Sequence, residues 1–149
     1  MFGMTKLQFL KRSAKCMDEA GGLLLLIREI IVKEFRDEVN YLEAFKRMDN
    51  IRKELDSLFY EFERLSPPSS CNKLKRKILN VLIGMQEVVV TDLESLNAAR
   101  KGLKEQSQTK LKESRDQLEV FRKDFHEVTK EVNILLSEKG KSKKIPKNS

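Results

Sequence analysis

Apolar residues recur at every third or fourth position through residues 23–65, and charged residues occupy most positions between them. This spacing is typical of an amphipathic α-helix, whereas a half-buried β-strand alternates with a period of two. One step of six residues, from Phe45 to Ile51, interrupts the pattern, and Asp49 or Asn50 could cap a new helix there. The pattern predicts one long helix over residues 23–65, or two stacked helices with a break near Asp49.

The first third of this segment is apolar on nearly every side. Its apolar residues are Leu23, Leu24, Leu25, Leu26, Ile27, Ile30, Ile31 and Val32. A helix that is apolar all round has to be covered by several neighbours. The run is too short to span a bilayer, which takes about 20 apolar residues, and Arg28 and Glu29 interrupt it.

Glycine and proline divide the chain on both sides of the long segment. Gly21-Gly22 predicts a break that separates it from a short first helix over residues 5–19, with Thr5 as the cap. The sequence Ser-Pro-Pro-Ser-Ser at 66–70 predicts a loop, because proline lacks a backbone donor and disfavours a helical residue before it. Such a short loop joins antiparallel neighbours.

The short first helix allows three interpretations, of which packing as the first helix of a bundle is the one we favour. Residues 1–17 contain no acid, so this segment also suits a basic amphipathic anchor on an anionic membrane surface. In a eukaryote it could instead be an organelle transit peptide, although it is poor in arginine and serine. No apolar core followed by a small-residue cleavage site precedes residue 20, so no secretory signal is expected.

Residues 72–138 contain two further apolar stripes. The first begins after Asn72, a possible cap, and Gly84 in its middle predicts a close approach of two helix backbones, with a ligand pocket as the alternative. The second stripe has heptad spacing. Its members are Leu111, Leu118, Phe121, Phe125, Val128, Val132 and Leu135. The polar residues 102–108 predict a turn between the two helices, with one continuous helix over 72–138 as the other possibility.

These elements predict an all-α fold, an antiparallel helical bundle of three long helices plus a short N-terminal helix with coiled-coil-like packing. Residues 1–138 are predicted to form one domain, since the 149 residues of the chain suffice for a single core. The stretch 139–149 is rich in lysine and lacks core residues, so it is predicted to be a disordered tail.

The short loop at 66–70 also limits how much of the long helix its neighbours can cover. The third helix has to start beside the end of the long helix, so residues 23–33 would project beyond the third and fourth helices. One short N-terminal helix cannot cover that apolar surface, and exposed patches of this kind mark interaction sites. The residues predicted to contact a second copy of the chain or a helix of another protein are Leu23, Leu24, Leu26, Ile27, Ile30 and Ile31.

The net charge of +7 is concentrated near the two termini. Residues 1–17 and 139–149 hold nine Lys and Arg residues and no acid, which leaves residues 18–138 nearly neutral. A further basic cluster opens the third helix. Such side chains can neutralise phosphates without reading bases. The candidate phosphate-contacting residues are Lys73, Lys75, Arg76, Lys77, Lys141, Lys143 and Lys144.

The sequence offers no recognisable pattern for catalysis, cofactor binding or metal binding. His126 is the only histidine, and the Glu-x-x-His motif of di-metal helical bundles would need a glutamate where Lys123 stands. Cys16 and Cys71 are isolated thiols, which we expect to be buried apolar side chains in a reducing cytoplasm. Glycine-rich phosphate loops and HExxH motifs are missing from the sequence. We therefore expect a protein without enzymatic activity, cofactor or bound metal.

Together the patterns predict a structural or interaction protein that binds a partner protein, or itself as a homo-oligomer, through residues 23–33. The alternative is an accessory nucleic-acid-binding protein whose basic termini contact phosphates. Few aromatic residues lie among the basic ones, which argues against stacking on single strands. Contact between residues 1–17 and a membrane surface is a third possibility.

Overall fold

The computed structural model describes residues 3–144, with side chains described through residue 139. Four helices account for most of this range, and a 3-10 turn at Ser69–Cys71 precedes the third. Their bounds are Lys6–Phe35 (α1), Tyr41–Glu63 (α2), Asn72–Arg100 (α3) and Lys104–Lys144 (α4). Short connections reverse the chain between successive helices, so each helix is antiparallel to the next. The predicted all-α helical bundle is confirmed.

The apolar stripes of the four helices meet in one continuous core. Its most deeply buried side chains include Leu10, Ile27, Met48, Leu55, Leu82, Leu96 and Val132. Each helix hides its stripe and turns its charged face outward, so burial of apolar surface holds the helices together. None of the helices within residues 3–144 is long and apolar enough to cross a lipid bilayer.

The helix α1 continues through Gly21-Gly22, so the helix break predicted there and the separate short N-terminal helix are wrong. Thr5 caps α1 as predicted, in a capping box with the residue three positions later. The two glycines are tolerated because Ala20 and Leu23 on either side are buried in the core. Their burial offsets the loss of helix stability, which is about 1 kcal/mol per glycine.

The segment 23–65, predicted as one long helix or two stacked helices, is divided between the end of α1 and the antiparallel α2. At the reversal, Asp37 has a positive φ of 54°, and the Glu38 amide donates to the Lys33 carbonyl at 2.9 Å. This hydrogen bond belongs to a Schellman C-cap, in which the left-handed position is usually glycine. Since no glycine marks this turn, the sequence pattern does not predict it.

Asn40 rather than Asp49 caps the second of these helices. The Asn40 side chain accepts a 3.0 Å hydrogen bond from the Glu43 amide and so satisfies one of the free donors at the start of α2. Asp49 lies in the middle of α2, where its carboxylate accepts a 2.9 Å hydrogen bond from Arg52. The predicted break at Asp49 is therefore wrong, because this ion pair holds the polar side chain on the surface of a continuous helix.

The connection between α2 and α3 contains the predicted Pro-Pro loop. The Lys75 ammonium donates to the carbonyls of Glu63 at 2.6 Å and Leu65 at 2.7 Å, which satisfies acceptors at the end of α2. Asn72 is not the cap of α3, because the 3-10 turn places Cys71 at the N-cap position, with no side-chain hydrogen bond to the helix.

The turn between α3 and α4 is confirmed at Gly102. Its φ of 76° is a left-handed value that glycine adopts readily, and the Leu103 amide donates to the Ala98 carbonyl at 2.9 Å. This second Schellman cap excludes a continuous helix over residues 72–138. The helix α4 begins at Lys104, a few residues earlier than the polar pattern predicts.

The C-terminal end of α4 overlaps the start of the predicted lysine-rich tail. The helix extends to Lys144, past residue 139 where the tail was expected to begin. The rest of that tail, residues 145–149, lies outside the described residues, so disorder there stays a prediction.

Two aromatic rings of α4 pack against glycines of α1 and α3. A Cβ on Gly84 of α3 would lie 3.1 Å from Cδ2 of Phe121, and a Cβ on Gly21 of α1 would lie 3.4 Å from Cζ of Phe125. The centroids of the two rings are 5.8 Å apart. The close approach predicted at Gly84 is therefore made by a side chain of α4 rather than by a second helix backbone. Gly21, in the middle of α1, makes a similar contact with the other ring.

We expect Gly22→Ala to raise the free energy of unfolding by about 1 kcal/mol, since alanine is the better helix former and nothing lies within 4 Å of the new Cβ. Gly84→Ala should gain less, or lose stability, because the Phe121 ring has to shift. Urea unfolding followed by circular dichroism measures both variants. Equal gains at the two positions would contradict tight packing of the ring on Gly84.

Candidate functional site

A groove of about 910 Å³ runs between α3 and α4 and opens to solvent. Its apolar floor is formed by Val81, Gly84, Val120, Phe121 and Val128. Val81, Phe121 and Val128 are buried, whereas the side chain of Val120 is 69% exposed. Val120 therefore presents apolar surface to solvent between two long helices, and we call this groove the α3–α4 groove.

Acidic side chains dominate the edges of the α3–α4 groove. Its charged lining residues are Glu87, Glu113, Asp116, Asp124, Glu127, Glu131, Lys77 and Lys112. Lys77 pairs with Glu131 across the groove at 2.8 Å. Among the described residues, Glu87, Asp124 and Glu127 make no ion pair. Six carboxylates against two lysines leave the groove with an excess of negative charge.

The α3–α4 groove is long enough to receive a helix. Its lining positions on α4 recur at helical spacing from Thr109 to Glu131, and those on α3 from Lys77 to Glu87. At a rise of 1.5 Å per residue the α4 side spans about 33 Å and the α3 side about 15 Å, so both helices line the groove over about three turns of a bound helix. Gln117 also lines the groove, and its Oε1 atom is buried with no hydrogen-bond partner among the described residues.

Four of the six residues predicted to contact another protein lie in this chain's own core. They are Leu23, Ile27, Ile30 and Ile31. Leu24 is partly buried, and Leu26 is 39% exposed. The predicted overhang is missing because the chain reverses after Phe35, so that α2 and α4 pack along α1. Contact of a partner with Leu26 stays a prediction. Its neighbour Leu25, 67% exposed, was not in the predicted set.

The basic cluster at 73–77 is partly engaged within the chain. Lys75 is bound to the carbonyls at the end of α2, and Lys77 pairs with a carboxylate of α4. Lys73 and Arg76 are exposed and make no ion pair within the described part of the chain. Two of the four predicted phosphate-contacting residues in this cluster are therefore open to solvent.

The alternating helix directions bring three basic segments to one end of the bundle. The first turns of α1 and α3 and the last turns of α2 and α4 lie there, and the Met4 amide donates to the Ser66 carbonyl at 3.2 Å. The cations of α1 are Lys6, Lys11, Arg12 and Lys15. In α4 the predicted phosphate-contacting residues are Lys141, Lys143 and Lys144, whose side chains lie outside the described residues. We call residues 6–15, 73–77 and 139–144 the basic end.

Two carboxyl groups meet inside the half of the bundle opposite the basic end. Glu34 of α1 is 7% exposed, and Asp92 of α3 is fully buried. Asp92 Oδ1 accepts a 3.3 Å hydrogen bond from the Ser114 hydroxyl of α4. Three helices thus contribute to one buried polar cluster, which we call the carboxyl pair.

Burial raises the pKa of both carboxyl groups. For Glu34, loss of hydration is the main cause, and the negative charge of Asp92 and the hydrogen bond between the two groups raise its pKa further. Burial also raises the pKa of Asp92, while hydrogen bonds from Glu34 and Ser114 lower it. The raised pKa of Glu34 favours its protonated form at neutral pH, in which it can donate a hydrogen bond to Asp92. One shared proton lets two carboxyl groups occupy the core together.

Sequence reasoning missed the carboxyl pair. Glu34 occurs in a run of charged residues, which indicated a solvent-facing surface. Asp92, however, lies three residues after Val89 and four before Leu96, on the buried stripe of α3. A charged residue at such a stripe position is the signal that could have found it.

Other reactive side chains lie apart from these features. His126 is exposed on α4, and both thiols are buried as predicted. Burial, above all, raises the pKa of Cys16 to about 12, which disfavours the thiolate. Within the described residues, no group of three His, Cys, Asp or Glu side chains is placed to hold a metal ion.

Glu34→Gln is expected to stabilise the protein at neutral and higher pH. The folded-state pKa of Glu34 is raised, so the unfolded chain binds fewer protons above the ordinary glutamate value, and wild-type stability falls as pH increases. Glutamine can still donate to Asp92 but does not titrate. The variant's advantage should grow between about pH 5 and pH 8, by about 1.4 kcal/mol or more. Urea unfolding across pH measures it, and a difference that stays constant with pH would contradict the shared proton.

Comparisons with known proteins do not add a family to this picture. The chain matches no protein-family model, no curated protein sequence and no solved structure. The α3–α4 groove, the basic end and the carboxyl pair are the features of the structure that bear on function.

Proposed function

We propose that this protein is a non-enzymatic helical bundle that binds another protein through the α3–α4 groove. The observation that carries the proposal is the apolar floor of this groove, where Val120 is 69% exposed beside Phe121 and Gly84. Exposed apolar surface in a groove of helical length is the feature that helix-binding proteins use. A helix with aliphatic residues at every third or fourth position would cover this floor.

The α3–α4 groove replaces residues 23–33 as the main surface in this proposal. Most of that segment is occupied by contacts inside the chain, which leaves Leu25, Leu26 and Val32 as its exposed apolar positions. Self-association through this segment would have to use these three side chains. The α3–α4 groove combines the exposed Val120 with a lining from two helices and an excess of acids, so we favour a partner protein there.

A second candidate function, accessory binding of nucleic acid, is supported by the basic end. Three basic segments, separated by more than 50 residues in the sequence, lie at the same end of the bundle. Lys73 and Arg76 are exposed there, beside the acid-free first turns of α1. Such a surface would neutralise phosphates without reading bases.

The groove proposal predicts that helical peptides selected from a display library on the full chain will bind the α3–α4 groove. Val120→Gln should weaken the selected peptides about tenfold or more, because it places a polar group on the floor. Leu25→Gln is the matched control, since Leu25 is equally exposed on a different helix. Titration of labelled peptides by fluorescence anisotropy gives the affinities. Peptides that bind both variants as well as the wild type would contradict the groove proposal.

The nucleic-acid candidate predicts salt-dependent binding to a random DNA duplex that depends on the basic end. Lys73→Gln/Arg76→Gln should reduce the slope of log affinity against log salt by about 2, which is about 1 per lost phosphate contact. Lys46→Gln/Arg47→Gln removes the same charge near the opposite end of the bundle and should leave the slope unchanged. Equal effects of the two double variants, or no binding at low salt, would contradict this candidate.

A further inference from the structure

We propose that the partner segment received by the α3–α4 groove is a basic amphipathic helix, with an apolar stripe flanked by lysine or arginine. This inference rests on the proposed function and adds the chemistry of the partner. The charge along the groove carries it. Five of the six carboxylates lie on α4 and Glu87 lies on α3, so cations beside an apolar stripe would lie opposite them, above all along α4.

The carboxylates are available on both sides of the floor. Glu87 of α3 and Asp124 and Glu127 of α4 make no ion pair among the described residues. They lie beside Phe121 and Val128, so apolar burial and charge pairing can occur along the same stretch. Ion pairs at the edge of an interface are partly solvated and contribute mainly to the rate of association and to the choice of partner.

The charge also excludes other occupants of the α3–α4 groove. A nucleic acid would place its phosphates beside the carboxylates of Asp124, Glu127 and Glu87, and these negative charges would repel each other. An acidic helix meets the same repulsion. Residues 6–15 of this chain's own basic end cannot fill the groove, because Phe9 and Leu10 hold them in the core of the bundle.

The test uses two synthetic peptides of about 21 residues with leucine at every third or fourth position. One has lysine at the flanking positions, and the other has glutamate at the same positions. We expect the lysine peptide to bind the full chain and the glutamate peptide to bind about tenfold more weakly or not at all. Raising the salt from about 0.05 M to about 0.5 M should weaken the lysine peptide. Backbone amide shifts in an isotope-labelled chain should change along α3 and α4.

Matched double variants separate the charges of the groove from the net charge of the chain. Asp124→Asn/Glu127→Gln removes two groove charges and should weaken the lysine peptide about threefold to tenfold. Asp18→Asn/Glu54→Gln removes one Asp and one Glu charge from exposed positions on α1 and α2, and should have less effect. Equal weakening by the two double variants would overturn the inference, since net charge alone would then explain binding.

The remaining outcomes distinguish this inference from the proposed function. If both peptides bind equally and Val120→Gln weakens both, the partner is not selected by charge, whereas the groove still binds helices. If the lysine peptide binds and Val120→Gln has no effect, the peptide lies elsewhere, and both the inference and the proposed function are overturned. No binding of the lysine peptide at low salt overturns the inference.

Discussion

The packing of α4 depends on two contacts between a phenylalanine ring and a glycine. Phe121 lies on Gly84 of α3, and Phe125 lies on Gly21 of α1, with the two rings side by side. Since glycine has no Cβ, the rings approach the neighbouring helices closely, and α4 is held by α1 and α3 at once. The ring of Phe121 is also part of the floor of the α3–α4 groove. The stability of the bundle and the shape of its candidate binding surface therefore depend on the same contact.

The carboxyl pair adds a constraint of another kind, on the position of α1 along α3. Apolar side chains tolerate small shifts between packed helices, whereas a buried hydrogen bond requires two particular residues to meet. A slip of one helical turn would separate Glu34 from Asp92 and leave two carboxyl groups unpaired in the core. The pair thus lowers stability relative to an apolar contact at neutral pH and at the same time favours a single register.

Local patterns predicted the helices, and tertiary contacts decided where the helices end. The stripes on α3 and α4 and the turn at Gly102 were readable because spacing and a left-handed glycine are local signals. Gly21-Gly22 was misjudged because the ring of Phe125, which fills the space at Gly21, is more than 100 residues away. The reversal at Asp37 was missed because that position usually requires glycine. One misplaced reversal was enough to produce the false overhang at residues 23–33.

The candidate surfaces could not be predicted because they depend on which helix faces become neighbours. Five acids of the α3–α4 groove belong to α4 and Glu87 belongs to α3, and the charged positions of either helix alone indicate only a solvated face. Likewise the basic end forms because the four helices alternate in direction, which places the start of α1 and the end of α4 at the same end of the bundle. In a symmetric dimer built through this groove, like charges would face each other, because each copy would present the same acidic edges. A helix of opposite charge meets no such repulsion, so the charge of the groove disfavours a dimer in which two copies meet groove to groove.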